Sequence, residues 1–172
     1  MKRIISSLIA IGIIITLIFS NNINSQAASY DKAYASKNLT VKTSPGTSYK
    51  TLGKIKLGTS VKVYAGVPIG KDQENWYSYQ QYGWSKIKYG KKYGWVKTHE
   101  LTFTNPYSWV PGVKSKTIKD IKKNQNVSNK DKTKLVKSKY ETNFYIMYIQ
   151  FDGKGKWYPF ENINCKTGWY HG

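Results

Sequence analysis

From Asn38 to Phe103, apolar and polar residues alternate with a period of two. Leu39-Thr40-Val41, Lys54-Ile55-Lys56-Leu57, Val61-Lys62-Val63 and Lys86-Ile87-Lys88-Tyr89 each put apolar side chains on one side and polar ones on the other. Successive side chains of a strand point to opposite faces, so this pattern predicts strands half-buried in an antiparallel sheet. Turn formers punctuate them: Ser44-Pro45-Gly46, Gly53, Gly58-Thr59, Gly66, Gly70, Gly90 and Gly94. Short strands at this spacing predict a small barrel or sandwich. Any single outward lysine reads as part of a solvated strand face.

The charge is lopsided. The 172 residues carry 28 Lys+Arg against 9 Asp+Glu, a net charge of +19, and Arg3 is the sole arginine. Aromatics at 15% and hydrophobics at 40% supply enough apolar surface for a folded core despite that charge. Cys165 is the single cysteine, which excludes an intrachain disulfide and any structural zinc site built on two cysteines.

Met1-Lys2-Arg3 precedes an uncharged apolar run, Ile4 to Phe19, then polar residues and Ala27-Ala28-Ser29. This is the layout of a secretory signal peptide over residues 1–27, with Ser25 and Ala27 as the small residues at the recognition positions. Cleavage after Ala28 or Ala35 is the alternative, and an uncleaved anchor is the competing reading. The apolar run is short of the roughly 20 residues that span a bilayer. Removing residues 1–27, with Lys2 and Arg3, from a chain of 172 and net charge +19 leaves 145 residues and +17. The lone cysteine suits an export route that does not rely on disulfides, as in Gram-positive-type secretion.

The run LTVKTSPGTSYKTLGKIKLGTSVKVY resembles the opening of a bacterial SH3-like (SH3b) domain: strand, small-residue turn, tyrosine, then two strand segments around Gly-Thr. The run WSKIKYGKKYGWVKTHEL resembles its closing half. Together they cover residues 38–103, after an expected linker at 28–37. Between Val63 and Trp84 the chain departs from the pattern with an enlarged aromatic stretch, VPIGKDQENWYSYQQYG. The resemblance implies a small SH3-like β-barrel that attaches exported proteins to the cell wall and binds peptidoglycan peptides in an aromatic groove.

Tyrosine and tryptophan pair a rigid apolar face with a polar tip, which suits peptide recognition. The expected ligand-binding residues are Thr43, Ser44, Tyr49, Trp76, Tyr79, Tyr82, Trp84 and Tyr93. Tyr49 and Tyr93 are expected to line the groove, with Thr43 and Ser44 offering hydroxyls. Core packing beside Gly94 is the competing reading for Trp84, Tyr93 and Trp95, and for Trp84 and Trp95 it fits equally well.

Past an expected linker at 104–112 the character changes. Val113, Thr117, Ile118 and Ile121 recur at helical spacing, with Ser115 as the expected N-cap. Leu135 to Glu141, Phe144 to Phe151 and Trp157 to Cys165 read as strands. The second is apolar on both faces and so predicts a central strand. Pro159 lacks a donor and predicts an edge or a bulge in the third. Residues 113–172 therefore form a small α+β module, one helix on an antiparallel sheet. This order, with the terminal INCKTGWYHG, is similar to PepSY-like modules, whose association is with control of exported peptidases or surface localisation.

An enzyme is not expected. Cys165 lies in an apolar strand pattern, where a free cysteine acts as a small hydrophobe, and His171 is the only nearby histidine. His99 and His171 sit in different halves and supply no zinc cluster. No metal or cofactor is expected. Base readout of nucleic acid favours arginine, which the processed chain lacks. The expectation is an exported, non-catalytic, cell-wall-binding protein whose partners are peptidoglycan peptide and teichoic acid. The alternative is a secreted regulator or inhibitor of a peptidase, acting through the C-terminal module, or an accessory to a wall hydrolase.

Overall fold

The computed structural model describes residues 29–68 and 83–172. The expected leader at 1–27 and the expected site residues Trp76, Tyr79 and Tyr82 lie outside them. The described chain is mainly β, with antiparallel sheets and one α-helix.

Seven strands form the first sheet: β1 Asp31–Ala35, β2 Leu39–Lys42, β3 Thr51–Ile55, β4 Ser60–Val67, β5 Trp84–Tyr89, β6 Lys92–Lys97 and β7 Leu101–Phe103. Their order is β3-β2-β6-β5-β4-β1-β7. Strand pairing leaves β3 and β7 as the two edges, so the expected barrel is not closed by backbone hydrogen bonds. The sheet stays open and is held together by its core. Ala33, Val41, Ile55, Val63, Ile87, Val96 and Phe103 bring all seven strands into one buried cluster. Each of the Val, Ile and Phe side chains, fully buried, stabilises by about 1.5–3 kcal/mol, and Ala33 by less. Register shifts at Val41/Lys42 and Val63/Ala65 mark bulges, which bend and twist a sheet around such a core.

Gly94 shows why a strand glycine is needed. A Cβ there would collide with Val41 Cγ1 and come within 3.2 Å of Leu52. The missing side chain admits a neighbouring strand's core residue rather than a ligand.

Residues 31–35 are not linker. Asp31, Ala33 and Ala35 point inward and are buried, and β1 pairs with both β4 and β7. The alternation was masked by one acid and two small residues, which carry little apolar signal.

Four strands form the second sheet: β8 Lys132–Lys137, β9 Phe144–Gln150, β10 Tyr158–Asn164 and β11 Tyr170–His171, in the order β11-β10-β9-β8. β9 is interior, as its two apolar faces suggested. β8 begins and ends earlier than expected; the Ser138 N–H still donates to the Phe144 carbonyl at 2.9 Å, but its side chain turns the chain out of the strand. Ser138 Oγ accepts from the N–H groups of Tyr140 and Glu141. Pro159 does lie at a bulge, between Pro159 and Glu161, but β10 is not an edge strand.

The helix α1 runs Val113–Asn124 and buries Val113, Thr117 and Ile121. Gly112, at φ 77°, is its N-cap; Ser115 lies inside the first turn and donates to the Gly112 carbonyl at 3.3 Å. Starting three residues early, with the N-cap at 112 instead of 115, is what brings Val113 into the first sheet's core cluster.

The segment 104–112 is anchored rather than a free linker. Val110 is buried in the first sheet's core, and Trp109 packs against the cores of both sheets. Tyr145 donates to the Tyr107 carbonyl at 2.8 Å, and Tyr107 to the Ser138 carbonyl at 3.0 Å.

The turn before β11 completes the junction. Lys166 is 0% exposed, and its Nζ contacts Asp31 Oδ2 at 2.7 Å, the Asn105 carbonyl at 2.8 Å and the Ser108 carbonyl at 2.6 Å. Ser108 Oγ lies at 3.0 Å as well, so the three ammonium protons have no shortage of acceptors. Ser108 Oγ donates to the other Asp31 oxygen at 2.8 Å. The Phe103 ring covers the nitrogen at 4.4 Å.

Candidate functional site

A pocket of about 430 Å³ opens on the outer side of the first sheet. It draws on separate stretches of chain: Lys37 and Asn38 before β2, Thr40 and Lys42 on β2, Thr47 in the next loop, Trp84 on β5, Lys97 on β6, and Glu100. Register explains the meeting: Trp84 pairs with Lys97, and Lys42 pairs with Trp95 on the same strand as Lys97.

Three lysines face one acid here. Glu100 is held by Lys37 at 3.1 Å, and Lys42 donates to Thr51 Oγ1 at 3.1 Å. Asn38 Oδ1 accepts the Leu57 N–H at 3.0 Å, which fixes that rim. The net balance is cationic, beside the largely buried indole of Trp84. Such a site can hold a carboxylate against its ammonium groups and an apolar or backbone segment against the ring.

Of the expected ligand residues, Trp84 lines this pocket, and Thr43, Ser44, Tyr49 and Tyr93 do not. Thr43 opens the loop that supplies Thr47, its N–H donating to the Lys50 carbonyl at 2.9 Å. Tyr49 is half-buried in that loop. Tyr93 is 44% exposed on the outer face of β6 and is not core. Its ring meets Tyr64 edge-on at 5.4 Å, with Lys86 and Lys88 Nζ at 4.8 and 4.7 Å.

Sequence reasoning missed Lys37, Asn38, Thr40, Lys42, Thr47, Lys97 and Glu100. Aromatic content drew attention, whereas the pocket's polar lining is ordinary strand-face lysine and threonine. The closing motif WVKTHEL did carry a usable signal, since it supplies both Lys97 and Glu100.

Burial lowers the pKa of the His99 imidazole, which lies between the pocket residues Lys97 and Glu100, with Glu100 opposing the shift. The largest shift lies away from the pocket. Burial pushes the Cys165 thiol up to about 11, against the opposing pull of the Lys166 ammonium. Its Sγ contacts the Pro106 carbonyl at 3.3 Å. A thiol in that state is a poor nucleophile near neutral pH. The His171 ring lies against Trp169 at 4.7 Å. Burial also raises the Glu161 carboxyl above its ordinary range, opposed by His171 and Gln125, and its Oε2 has no hydrogen-bond partner. No group of three or more His, Cys, Asp or Glu is placed to hold a metal ion among the described residues.

Residues 37–102 match the family model of the bacterial SH3 domain. The match begins just before β2 and ends within β7, and it contains the whole lining of the pocket. No curated protein and no solved structure matches the chain.

Proposed function

Taking residues 37–102 as a bacterial SH3 domain, we propose that the protein is an exported, non-catalytic, cell-wall-associated protein that holds peptidoglycan peptides on this domain. Its lysine-rich surface aids attachment to anionic wall polymers. The observation that carries the reading is the Trp84 pocket, with Lys37, Lys42 and Lys97 against the single Glu100. Wall peptides combine free carboxylates with short apolar side chains, and the pocket offers ammonium groups beside an indole face. Asn38, Thr40 and Thr47 add polar groups for a peptide backbone. The leader-like residues 1–27 support export, and the buried Cys165 supports a non-catalytic role.

The test is a titration of soluble wall stem peptide into the purified protein by calorimetry. Lys42→Gln/Lys97→Gln is expected to weaken binding by about tenfold or more, since charge-assisted hydrogen bonds contribute about 1.5–3 kcal/mol each. The melting temperature should barely move, because neither lysine is buried. Unchanged affinity in the double variant would remove the pocket from the account.

A further inference from the structure

We propose that the outer face of the seven-stranded sheet binds a linear phosphodiester polymer of the wall, laid across β1, β4 and β5 on Lys32, Lys62 and Lys88. The inference rests on the wall-associated reading above and gives its polyanion contact a defined place. None of these three lysines lines the Trp84 pocket.

The register builds the row. Lys32 lies directly opposite Lys62. Val63 pairs with Ile87, which brings Lys62 and Lys88, each one residue further along, to the same level. Lys88 in turn pairs with Tyr93. Neighbouring strands lie roughly 5 Å apart, so three lysines succeed one another across about 10 Å, perpendicular to the strands.

Like charges directly opposite on neighbouring strands destabilise a sheet. No carboxylate among the described residues pairs with them. The two ion pairs among the described residues are Lys37–Glu100 and the inward-facing Lys166–Asp31. Each lysine of the row stands over a tyrosine instead: Lys62 over Tyr30 at 4.5 Å, Lys88 over Tyr93 at 4.7 Å, Lys32 over Tyr34 at 5.4 Å. The rings are 38–44% exposed, so the whole ladder faces solvent. An aromatic face attracts the ammonium without cancelling its charge.

The charge pattern selects the occupant. Lysine meets phosphate as a point charge and imposes no bidentate geometry. A row of evenly spaced point charges complements a chain that repeats one anionic group, whereas a wall peptide offers only isolated carboxylates.

The experiment titrates linear poly(glycerol phosphate) of defined length into the purified protein, at about 0.15 M and about 0.5 M salt. Lys32→Gln/Lys62→Gln/Lys88→Gln is expected to weaken binding about tenfold or more and to flatten its salt dependence. Lys32→Arg/Lys62→Arg/Lys88→Arg keeps the charges and should bind within about threefold of the parent, showing that the face survives substitution. Lys114→Gln/Lys116→Gln/Lys119→Gln removes the same charge from the exposed side of α1 and should change little. Equal weakening by both glutamine triples would overturn the proposal in favour of net charge alone. So would tighter binding to phosphatidylglycerol vesicles than to the polymer. Lys42→Gln/Lys97→Gln should keep polymer binding, so a failure of the peptide pocket and a failure of this face are read separately.

Discussion

Replacing Lys166 by methionine is expected to lower folding stability by about 3–5 kcal/mol, the usual cost of breaking a buried ion pair by removing one partner. The substitution keeps most of the side chain's volume, so little of the loss comes from a cavity. It comes from what stays behind. Asp31 is 7% exposed and would keep one hydrogen bond, from Ser108, with its other oxygen facing apolar surroundings. The carbonyls of Asn105 and Ser108 would lose their ammonium donor as well. In a chain of this size the change corresponds to a fall in Tm on the order of 6–20 °C. Removing both charges, as Lys166→Met/Asp31→Leu, should recover most of it, because apolar replacements of similar volume often match or exceed a buried pair. Thermal and denaturant unfolding would measure both variants. A loss under about 1 kcal/mol for Lys166→Met would show that the pair does not clamp the two sheets together.

Gly66→Ala should damage the same junction from the opposite side. Gly66 lies near the end of β4, and a Cβ there would overlap the Lys166 carbonyl oxygen, with the Thr167 Cα at 3.2 Å. Both obstacles are backbone, so no side chain can swing away. The φ of Gly66 is not among the positive ones, so the alanine meets no conformational strain and the whole cost is steric. Overpacking of this kind costs about 1–3 kcal/mol, and more where the backbone cannot yield. Relief requires the 164–169 turn to withdraw, which weakens the Lys166 contacts too. The losses in Gly66→Ala/Lys166→Met should therefore sum to less than the two singles added, as neighbours sharing one interaction do. Strict additivity, measured by denaturant unfolding, would mean that Gly66 and Lys166 act independently.

Both expectations place the stability of the molecule at a junction that the sequence hides. A repeating pattern exposes regular elements: period two revealed β2, β4 and β5, and the Val113/Thr117/Ile121 spacing revealed α1. The junction has no period. Asp31 and Lys166 are 135 residues apart. Lysine is almost never fully buried unless paired, so neither partner betrays the other. Residues 31–35 look like linker for the same reason: their apolar signal is two alanines, and the acid at the head of the strand is satisfied only by the far end of the chain. A fragment ending at residue 104 would lose Lys166 along with Val110 and Val113, which the first sheet's core draws from beyond that point.

The candidate site divides similarly. Trp84 was legible because a tryptophan closing an aromatic stretch must either pack or bind. Tyr93 read as either a core ring or a ligand ring, and the structure puts it on the surface with lysines standing over it. The polar lining was not legible, since Lys42 and Lys97 are ordinary members of alternating strands until the register sets them around one indole.

The most direct measurement carries the peptide titration over to intact wall: co-sedimentation of the purified protein with sacculi, stripped or not stripped of phosphodiester polymer, at low and high salt. The account predicts binding to both preparations and release by soluble stem peptide. It also predicts a fraction that vanishes with salt or with removal of the polymer, because exposed lysine–phosphate contacts are screened within about 8 Å at physiological ionic strength. Failure to sediment with either preparation, or binding that stem peptide, salt and polymer removal all leave unchanged, would contradict it.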